Sequence, residues 1–430
     1  MSEKISEPKG LSPSRRQMLQ LMGAAGAASL LPLRPVWAAR PIRIGFVSPT
    51  TGPLAAFAES DDFVVSQVLN KVKDGIDIGG VRYPVQIIHK DSQSNPNRAA
   101  EVAGELILSD QVDLMVAGNT PETVNPVADQ CEANEVPCIT NDCPWQPYFF
   151  GRGGRPGTGF DWTYHFFWGL EDVIATYTDM WDLVPSNKVV GALWPNDSDG
   201  NAWGDAQHGF PPVLKAKGYT LVDPGRFHSF TDDFTAQINA FKNAKVEILT
   251  GVVVPPDFTT FWTQAAQQGF HPKVVTVGKA LEFPGPVAAL GSRAENTSVE
   301  VWWSPHHPFS SSLTGQSSAQ LAAAYSQATG HPWTMPLAFR HSLFEVAIDV
   351  LRRTKALNSK AILEAITTTN LKTVVGPVNW KTGPVKNVSK TPLVGGQWQK
   401  TAGQPGLELV ITSNRQAPEI PLGGSMRPLV

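Results

Sequence analysis

From residue 41 onward, short apolar runs alternate with segments in which apolar residues recur at helical spacing. The apolar runs predict strands at residues 42–47, 85–89, 112–116 and 138–140. The periodic segments predict a helix around Val64, Val68 and Val72, and further helices at residues 95–108 and 123–134. Because strands and helices alternate, the pattern favours a parallel sheet with helices on both faces.

A loop rich in aromatic residues and glycine, residues 145–167, interrupts this pattern, which then begins again. Strands are predicted at residues 189–194, 247–254 and 274–277, and helices at residues 171–183, 202–217 and 258–268. The remainder contains predicted helices at residues 319–329, 336–354 and 359–366, followed by a mainly β tail. The pattern therefore predicts two α/β lobes.

The first 38 residues have the features of an export signal. Arg15 and Arg16 precede an apolar stretch that ends near Leu33, and the small residues around Ala38 suit cleavage by a signal peptidase. The Ser-Arg-Arg-x-x-Leu opening resembles a twin-arginine export signal. An ordinary secretory leader with a chance pair of arginines is the alternative.

The chain is expected to be free in the periplasm once the signal is removed. Glycines, a serine and a proline interrupt the apolar stretch, whereas a membrane span needs about 20 predominantly apolar residues. No cysteine precedes Cys131, so lipid attachment at the cleavage point is not predicted.

Composition indicates ordinary globular domains. At about 150 residues per domain, the roughly 390 residues that follow the signal predict two or three domains. A formal net charge of -3 without long basic runs gives no electrostatic footprint for nucleic acid. No nucleic-acid partner is therefore predicted.

The three cysteines, Cys131, Cys138 and Cys143, fall within one short segment. An oxidising compartment permits one disulfide and leaves one thiol over. A disulfide between Cys131 and Cys138 is favoured, since cysteines flanking a helix-to-strand loop can reach the required Cα separation of about 4.4–6.8 Å. Buried free thiols are the alternative.

Patterns typical of catalysis or metal binding are weak. The sequence "GRGGRPGTG" at residues 151–159 lacks the Gly-Lys-Ser/Thr ending of a phosphate loop. His306 and His307 have no third ligand at metal spacing, and the sequence contains no Gly-x-Ser-x-Gly elbow. No catalytic residue, metal or cofactor is predicted.

Five segments together resemble one bacterial family. They are "IRIGFVSPTTGPLAAFA" (42–58), "HKDSQSNPNRAAEVAGELI" (89–107), "VDLMVAGNTPETVNPVADQCEANEVPCIT" (112–140), "VVGPVNW" (374–380) and "VGGQWQ" (394–399). In this order they resemble the Leu/Ile/Val-binding-protein-like family, the type I periplasmic solute-binding proteins of ABC importers. The likeness spans nearly the whole chain after the signal.

The resemblance implies an α/β fold of two Rossmann-like lobes joined by a three-crossing hinge, with the ligand in the cleft between them. A solute that touches both lobes binds the closed form better than the open form and shifts the population towards closure. The crossings are expected near residues 167–169, 303–305 and 374–376. The expected divisions are a signal peptide at 1–38, a first lobe of 41–168 plus 304–374, and a second lobe of 169–303 plus 375–430.

The resemblance also implies ligand contacts on loops of the first lobe. Family members that bind amino acids hold the ligand carboxylate with hydroxyl and backbone N–H groups on two loops, here residues 118–123 and 140–145. Thr120 is also a plain helix N-terminus with Pro121 and Glu122, so its role stays open. The first-lobe candidates are Phe57, Asn119, Thr120, Asn141, Asp142, Cys143 and Trp145.

In the second lobe, the family supplies an acid and aromatic groups around the ammonium of an amino acid. Glu171, or else Asp172, occupies one acidic position, and Trp203 occupies an aromatic one. Two positions depart from the family: Pro255 replaces a usual tyrosine, and Lys279 stands where amino-acid binders place a glutamate.

The departure at Lys279 determines the predicted ligand. Without a glutamate there, a buried ammonium is poorly paired, which is costly, whereas Lys279 suits an anion. A small organic acid is favoured, and the nearby Phe57, Trp145, Trp168 and Trp203 make an aromatic one plausible. If the alignment shifts by one or two residues, Glu282 becomes the acid, and a branched-chain or other amino acid is the alternative ligand.

The implied partner is an inner-membrane ABC permease, and the protein is expected to be a monomer. A diffusible ligand sensor of the same fold is a competing function. A secreted enzyme is another, but the sequence offers no nucleophile and base for it.

Overall fold

Two β-sheets divide the described chain into two α/β lobes. The structure is a computed structural model that describes residues 40–403 and 406–429. The predicted export signal at residues 1–38 lies outside the described residues.

The first lobe begins with four strands and one helix, and continues as alternating helices and strands. Its elements are β1 (Ile42–Ser48), α1 (Asp61–Lys71), β2 (Ile76–Ile78), β3 (Val81–Tyr83), β4 (Val85–Asp91), α2 (Pro96–Leu108), β5 (Leu114–Gly118), α3 (Pro121–Ala133), β6 (Cys138–Asn141), α4 (Trp145–Gly151) and β7 (Thr163–Phe166). Asn95 accepts hydrogen bonds from the backbone N–H groups of Asn97 and Arg98 and so caps α2, whose first residue is Pro96.

The second lobe repeats the alternation. Its elements are α5 (Leu170–Trp181), β8 (Val189–Leu193), α6 (Ser198–Trp203), α7 (Phe210–Ala216), β9 (Thr220–Val222), α8 (Thr235–Asn243), β10 (Ile248–Val253), α9 (Pro255–Gln267), β11 (Val274–Lys279), α10 (Pro284–Ala289) and β12 (Ser298–Val301).

The rest of the chain returns to the first lobe and then ends in the second. It contains α11 (Ser318–Thr329), α12 (Met335–Arg353), α13 (Ser359–Thr367), β13 (Asn370–Thr373), β14 (Gly376–Asn379), β15 (Val388–Ser389), β16 (Val394–Lys400) and β17 (Leu407–Ser413). Helix α12 is buried along most of its length against the first lobe.

The two large sheets have the strand order of doubly wound α/β lobes. The first sheet has the order β15-β7-β6-β5-β1-β4, and its strands are parallel. The second has the order β17-β16-β12-β11-β10-β8-β9, in which only β16 and β17 pair antiparallel to their neighbours. The predicted α/β fold with two lobes is confirmed.

The strand order places a crevice at one edge of each sheet. In the first sheet, β1 lies between β4 and β5; in the second, β8 lies between β9 and β10. On either side of β1 and of β8, the connections between strands therefore run in opposite directions across the sheet. The loops at the carboxyl ends of neighbouring strands diverge there. Ligands of open α/β sheets bind at such switch points.

Within residues 40–403 and 406–429, the chain passes between the sheets three times, at residues 167–169, 302–317 and 390–393. The third passage differs from the one expected near residues 374–376. Strand β15 pairs with His165 and Phe166 of β7 and so forms the last strand of the first sheet. Residues 375–389 therefore belong to the first lobe, and the boundary placed after residue 374 is wrong.

The single helix predicted at residues 202–217 is also wrong. The chain forms two short helices, α6 and α7, which Gly204 and Gly209 separate. A Cβ atom at Gly209 would lie 2.3 Å from the carbonyl oxygen of Trp203, so the turn requires glycine there. Prolines at the start of α7 then favour a new helix, because proline is tolerated in the first turn but not in the interior.

The disulfide predicted between Cys131 and Cys138 is not formed in the structure. Both residues, and Cys143, are buried free thiols. Cys131 and Cys138 are nevertheless hydrogen-bonding neighbours, and burial raises the pKa of Cys131 well above its usual value. Since the thiolate is the reactive form, this shift lowers the reactivity of the Cys131 thiol.

Within residues 40–403 and 406–429, no helix combines the length and the apolar character that crossing a membrane requires.

Candidate ligand-binding cleft

A small cavity lies where the carboxyl edges of the two sheets face each other. Its volume is about 30 Å³, which is room for roughly two water molecules. A solute of more than a few heavy atoms therefore requires the two walls to move apart. The lining residues come from both lobes and from the passages between them: Phe57, Thr120, Asp142, Pro144, Phe167, Trp168, Asp199, Trp203, Val252, Lys279, Glu282, Glu300 and Trp302.

On the first-lobe wall, a buried arginine holds Asp142. Arg340 of α12 is fully buried, and its Nε lies 3.0 Å from Oδ1 of Asp61 while its Nη1 contacts Oδ2 of Asp142. Gly118 makes this contact possible, because a Cβ atom there would lie 2.2 Å from Nη1 of Arg340. The cluster has two carboxyl groups for one guanidinium.

Burial raises the pKa of Asp142 to about 6, although the guanidinium of Arg340 opposes the shift. Burial also raises the pKa of Asp61, against the same opposing charge. Oδ1 of Asp142 is buried and has no hydrogen-bond partner among the described residues. This oxygen is available to a ligand in the cavity that Asp142 lines.

On the second-lobe wall, Lys279 is already paired with two acids. Its Nζ lies 2.7 Å from Oδ2 of Asp199 and 3.6 Å from Oδ2 of Asp197. Burial alone would lower the pKa of Lys279, but these carboxylates outweigh it and raise the pKa above its usual value. The positive charge of Lys279 is therefore already balanced within the protein.

Two further acids, Glu282 and Glu300, lie side by side on the same wall. Glu282 is 5% exposed and Glu300 is 1% exposed, and their carboxyl groups are hydrogen-bonding neighbours. Oε1 of Glu282 accepts a hydrogen bond of 2.8 Å from the backbone N–H of Lys279, and the hydroxyl of Tyr177 donates to Oε2 of Glu300. Burial raises the pKa of both carboxyl groups, that of Glu300 to about 7.

Aromatic rings form most of the uncharged part of the cavity lining. The ring of Phe57 packs edge-on against Phe283 across the cleft, with centroids 4.8 Å apart, and lies 6.5 Å from Trp302. The indole N–H groups of Trp168, Trp203 and Trp302 are buried and have no hydrogen-bond partner among the described residues. Buried indole N–H groups usually find an acceptor, and these three belong to residues that line the cavity.

The two lobes also touch beside the cavity. Oε1 of Glu122, at the start of α3, accepts a hydrogen bond of 2.7 Å from the backbone N–H of Ser198, the first residue of α6. Burial opposes ionisation of Glu122, but Lys279 attracts the same carboxylate, and the net result is a lowered pKa of Glu122. Glu122 therefore stabilises the arrangement in which the lobes are together.

Five of the residues predicted for ligand binding line the cavity: Phe57, Thr120, Asp142, Trp203 and Lys279. Among the other six, Asn119 accepts a hydrogen bond from the hydroxyl of Thr123, and Nδ2 of Asn141 donates to the carbonyl of Phe339. Cys143 lies in an apolar cluster, and Pro255 is the first residue of α9.

Trp145 and Glu171 pair with each other instead of lining the cavity. The indole N–H of Trp145 lies 3.2 Å from Oε1 of Glu171, which also contacts Nζ of Lys390 at 2.7 Å. This ion pair lies next to the third passage between the sheets, so Glu171 is engaged there.

Sequence reasoning missed Glu300 and Trp302 as lining residues. Both fall in "SVEVWW" at residues 298–303, where β12 ends at the second passage between the sheets. Their position at the carboxyl end of a strand, next to a crossing between the lobes, was the signal that could have identified them as lining residues. Asp199, which was not among the predicted site residues either, is buried in the ion pair with Lys279.

The chain belongs to the periplasmic binding protein family. The model of this family matches residues 41–402. No curated protein sequence matches the chain. The family is one of solute-binding proteins, and the chain has the fold of ABC-transporter substrate-binding proteins.

Three solved structures illustrate the similarity in fold. A leucine-binding protein from Thermotoga maritima is 17% identical with a TM-score of 0.69, covering 87% of this chain and 99% of that one. A solute-binding protein from Rhodopseudomonas palustris, in complex with 3,4-dihydroxybenzoic acid, is 18% identical with a TM-score of 0.70, covering 89% and 99%. A Leu-, Ile-, Val-, Thr- and Ala-binding protein from Brucella ovis, in a closed conformation, is 17% identical with a TM-score of 0.70, covering 90% and 99%.

Proposed function

We propose that this protein is the periplasmic solute-binding component of an ABC importer and that it captures a small solute carrying a protonated amino group. An amino acid is the simplest such solute. Capture occurs when the lobes close on the solute, and an inner-membrane permease receives it. The protein performs no chemical conversion.

The excess of acids around the cavity carries this proposal. Arg340 is shared by Asp61 and Asp142, and Lys279 is shared by Asp197 and Asp199. Glu282 and Glu300 add two more carboxyl groups. Each of these three groups of residues has more acids than bases. Because an unpaired buried charge is costly, a positively charged ligand is the one that balances such a site.

The unpaired donors favour a ligand that also carries an acceptor. The indole N–H groups of Trp168, Trp203 and Trp302 and the hydroxyl of Thr120 are buried without partners among the described residues. A carboxylate accepts from such donors, and an amino acid carries both a carboxylate and an ammonium.

A carboxylate without an amino group is the second candidate. The same open indole donors favour it, and a similar structure holds a dihydroxybenzoic acid. The ion pairs of Lys279 weaken this candidate, because Asp197 and Asp199 already take up the charge that was expected to bind an anion.

A thermal-shift screen of matched compounds distinguishes the two candidates. The solute-stripped protein is heated with L-leucine or 4-methylpentanoate, and with L-phenylalanine or 3-phenylpropanoate, which differ by the amino group. A ligand at 100 times its dissociation constant adds about 2.7 kcal/mol to the free energy of unfolding. Stabilisation only by the amino compounds is expected, whereas equal or greater stabilisation by the acids contradicts the proposal.

Glu122 is expected to contribute to affinity without touching the ligand. Glu122→Gln removes the charge that accepts from Ser198 and faces Lys279, so the closed form loses stability relative to the open one. The partly exposed position suggests a loss of about 1 kcal/mol, or about fivefold in affinity. Calorimetric titration measures it, with the exposed Glu101→Gln as the control; identical affinities would remove Glu122 from closure.

A further inference from the structure

We propose that Glu282 and Glu300 share one proton in the ligand-free protein and that the ammonium group of the incoming solute displaces it. The inference rests on the proposed function for its ligand. It adds that the protein releases a proton to solvent when it binds, so that its affinity depends on pH.

The hydrogen bonds around the two carboxyl groups favour a shared proton between them. Oε1 of Glu282 is occupied by the backbone N–H of Lys279, and Glu300 accepts from the hydroxyl of Tyr177. Oε2 of Glu282 is buried beside Glu300 and has no donor among the described residues. Ionised carboxylates are acceptors only, so one proton turns a repulsive contact into a hydrogen bond.

A glycine in the adjacent strand leaves the space that the carboxyl group of Glu300 occupies. A Cβ atom at Gly278, in β11, would lie 2.7 Å from Oε1 of Glu300. Any side chain at this position would push Glu300 away from its place against β11, on the wall that it shares with Glu282.

The charged and titratable groups around the pair favour retention of that proton. Asp199 faces Glu300 from α6, and Asp142 faces the same cavity from the first lobe, so both oppose a second negative charge. Lys279 favours ionisation of Glu282, but its charge is shared with two aspartates. Burial raises the pKa of Tyr177, which therefore remains a donor.

An ammonium group replaces the proton because it supplies the same interaction. It presents three N–H donors and a full positive charge, which lowers the pKa of both adjacent carboxyl groups. Over the pH range in which the free pair holds a proton and the complex does not, affinity should rise about tenfold per pH unit as the pH increases.

Infrared spectroscopy of the ligand-free protein tests the stored proton. At pH 7, a protonated carboxyl band is expected in the wild type and is expected to be absent from Glu282→Gln/Glu300→Gln. Other buried acids are common to both proteins and cancel in the difference spectrum. If the difference spectrum lacks the band, the proposal is overturned, whatever the protein binds.

Titration calorimetry tests the displacement. L-leucine, L-phenylalanine and phenethylamine are titrated in two buffers of different ionisation enthalpy, and release of about one proton is expected. In Glu300→Gln the amide N–H takes the place of the proton, so binding, weakened by the loss of one carboxylate, should occur with release near zero. Glu345→Gln, at a buried acid that does not line the cavity, should leave the release unchanged.

The outcomes separate this inference from the proposed function. Binding without proton release, together with an infrared band that persists in the complex, overturns the displacement. If none of the three amines binds, the proposed function fails, while the infrared difference still reports whether the pair holds its proton.

Discussion

Arg340→Met is expected to destabilise the folded protein by about 3–5 kcal/mol at pH 7, the usual cost of removing one partner from a buried ion pair. Arg340 is fully buried and is the shared partner of Asp61 and Asp142. Its loss leaves two buried carboxyl groups that must ionise without a cation or take up protons. Urea unfolding followed by circular dichroism measures the change.

The pH dependence of this loss distinguishes charge from packing. Without Arg340, the folded-state pKa values of Asp61 and Asp142 rise further above their unfolded values. An acid with a raised pKa destabilises the fold at high pH, and this penalty disappears as the pH falls through the raised pKa. The deficit of Arg340→Met should therefore shrink between pH 8 and pH 5; a deficit independent of pH would indicate lost packing.

An arginine on the same helix supplies the matched control. Arg352 is exposed at the end of α12, so Arg352→Met should change the free energy of unfolding far less. Equal losses in the two variants would contradict the role given to the buried cluster.

Glu282→Gln is expected to weaken binding of an amino-bearing solute by at least about 30-fold. Truncating one partner of a buried charge pair typically costs about 2–5 kcal/mol, and each 1.4 kcal/mol is tenfold in affinity. The glutamine keeps the shape of the side chain and removes its charge. Titration calorimetry with L-leucine and L-phenylalanine measures affinity, and the melting temperature shows whether the variant is folded.

Glu171→Gln is the informative comparison, because the family resemblance points to Glu171 as the acid for an ammonium. Glu171 does not line the cavity and is paired with Lys390 and Trp145. Its substitution should leave affinity within about twofold. The reverse result, a large loss in Glu171→Gln and none in Glu282→Gln, would refute the assignment of the cavity.

The local sequence already predicted most of the core elements. Helix α2 begins at the predicted Asn95-Pro96 signal, and the valines of α1 recur every four residues on its buried side. Such features depend on nearest neighbours and helical period, which a sequence displays directly. The resemblance then placed Phe57, Thr120, Asp142, Trp203 and Lys279 near one another, and these residues line one cavity.

Charge compensation was not visible in the sequence. From the sequence alone, Lys279 favoured an anionic ligand because its neighbours in space were unknown. Asp197 and Asp199 are about 80 positions away from it in the chain. They reach Lys279 only because β8 and β11 lie in the same sheet. The same applies to Arg340, whose partner Asp61 is 279 positions away. The sign of a buried site depends on the sum of all charges within a few ångströms.

The sequence by itself determined the family, the two α/β lobes and the loops that form the cleft, because these follow from periodic patterns and ordered motifs. Only the tertiary structure decided that Glu282 and Glu300 meet, that Glu171 does not line the cavity, and that the third passage between the sheets follows β15. These features depend on packing between distant segments, which local propensity does not encode.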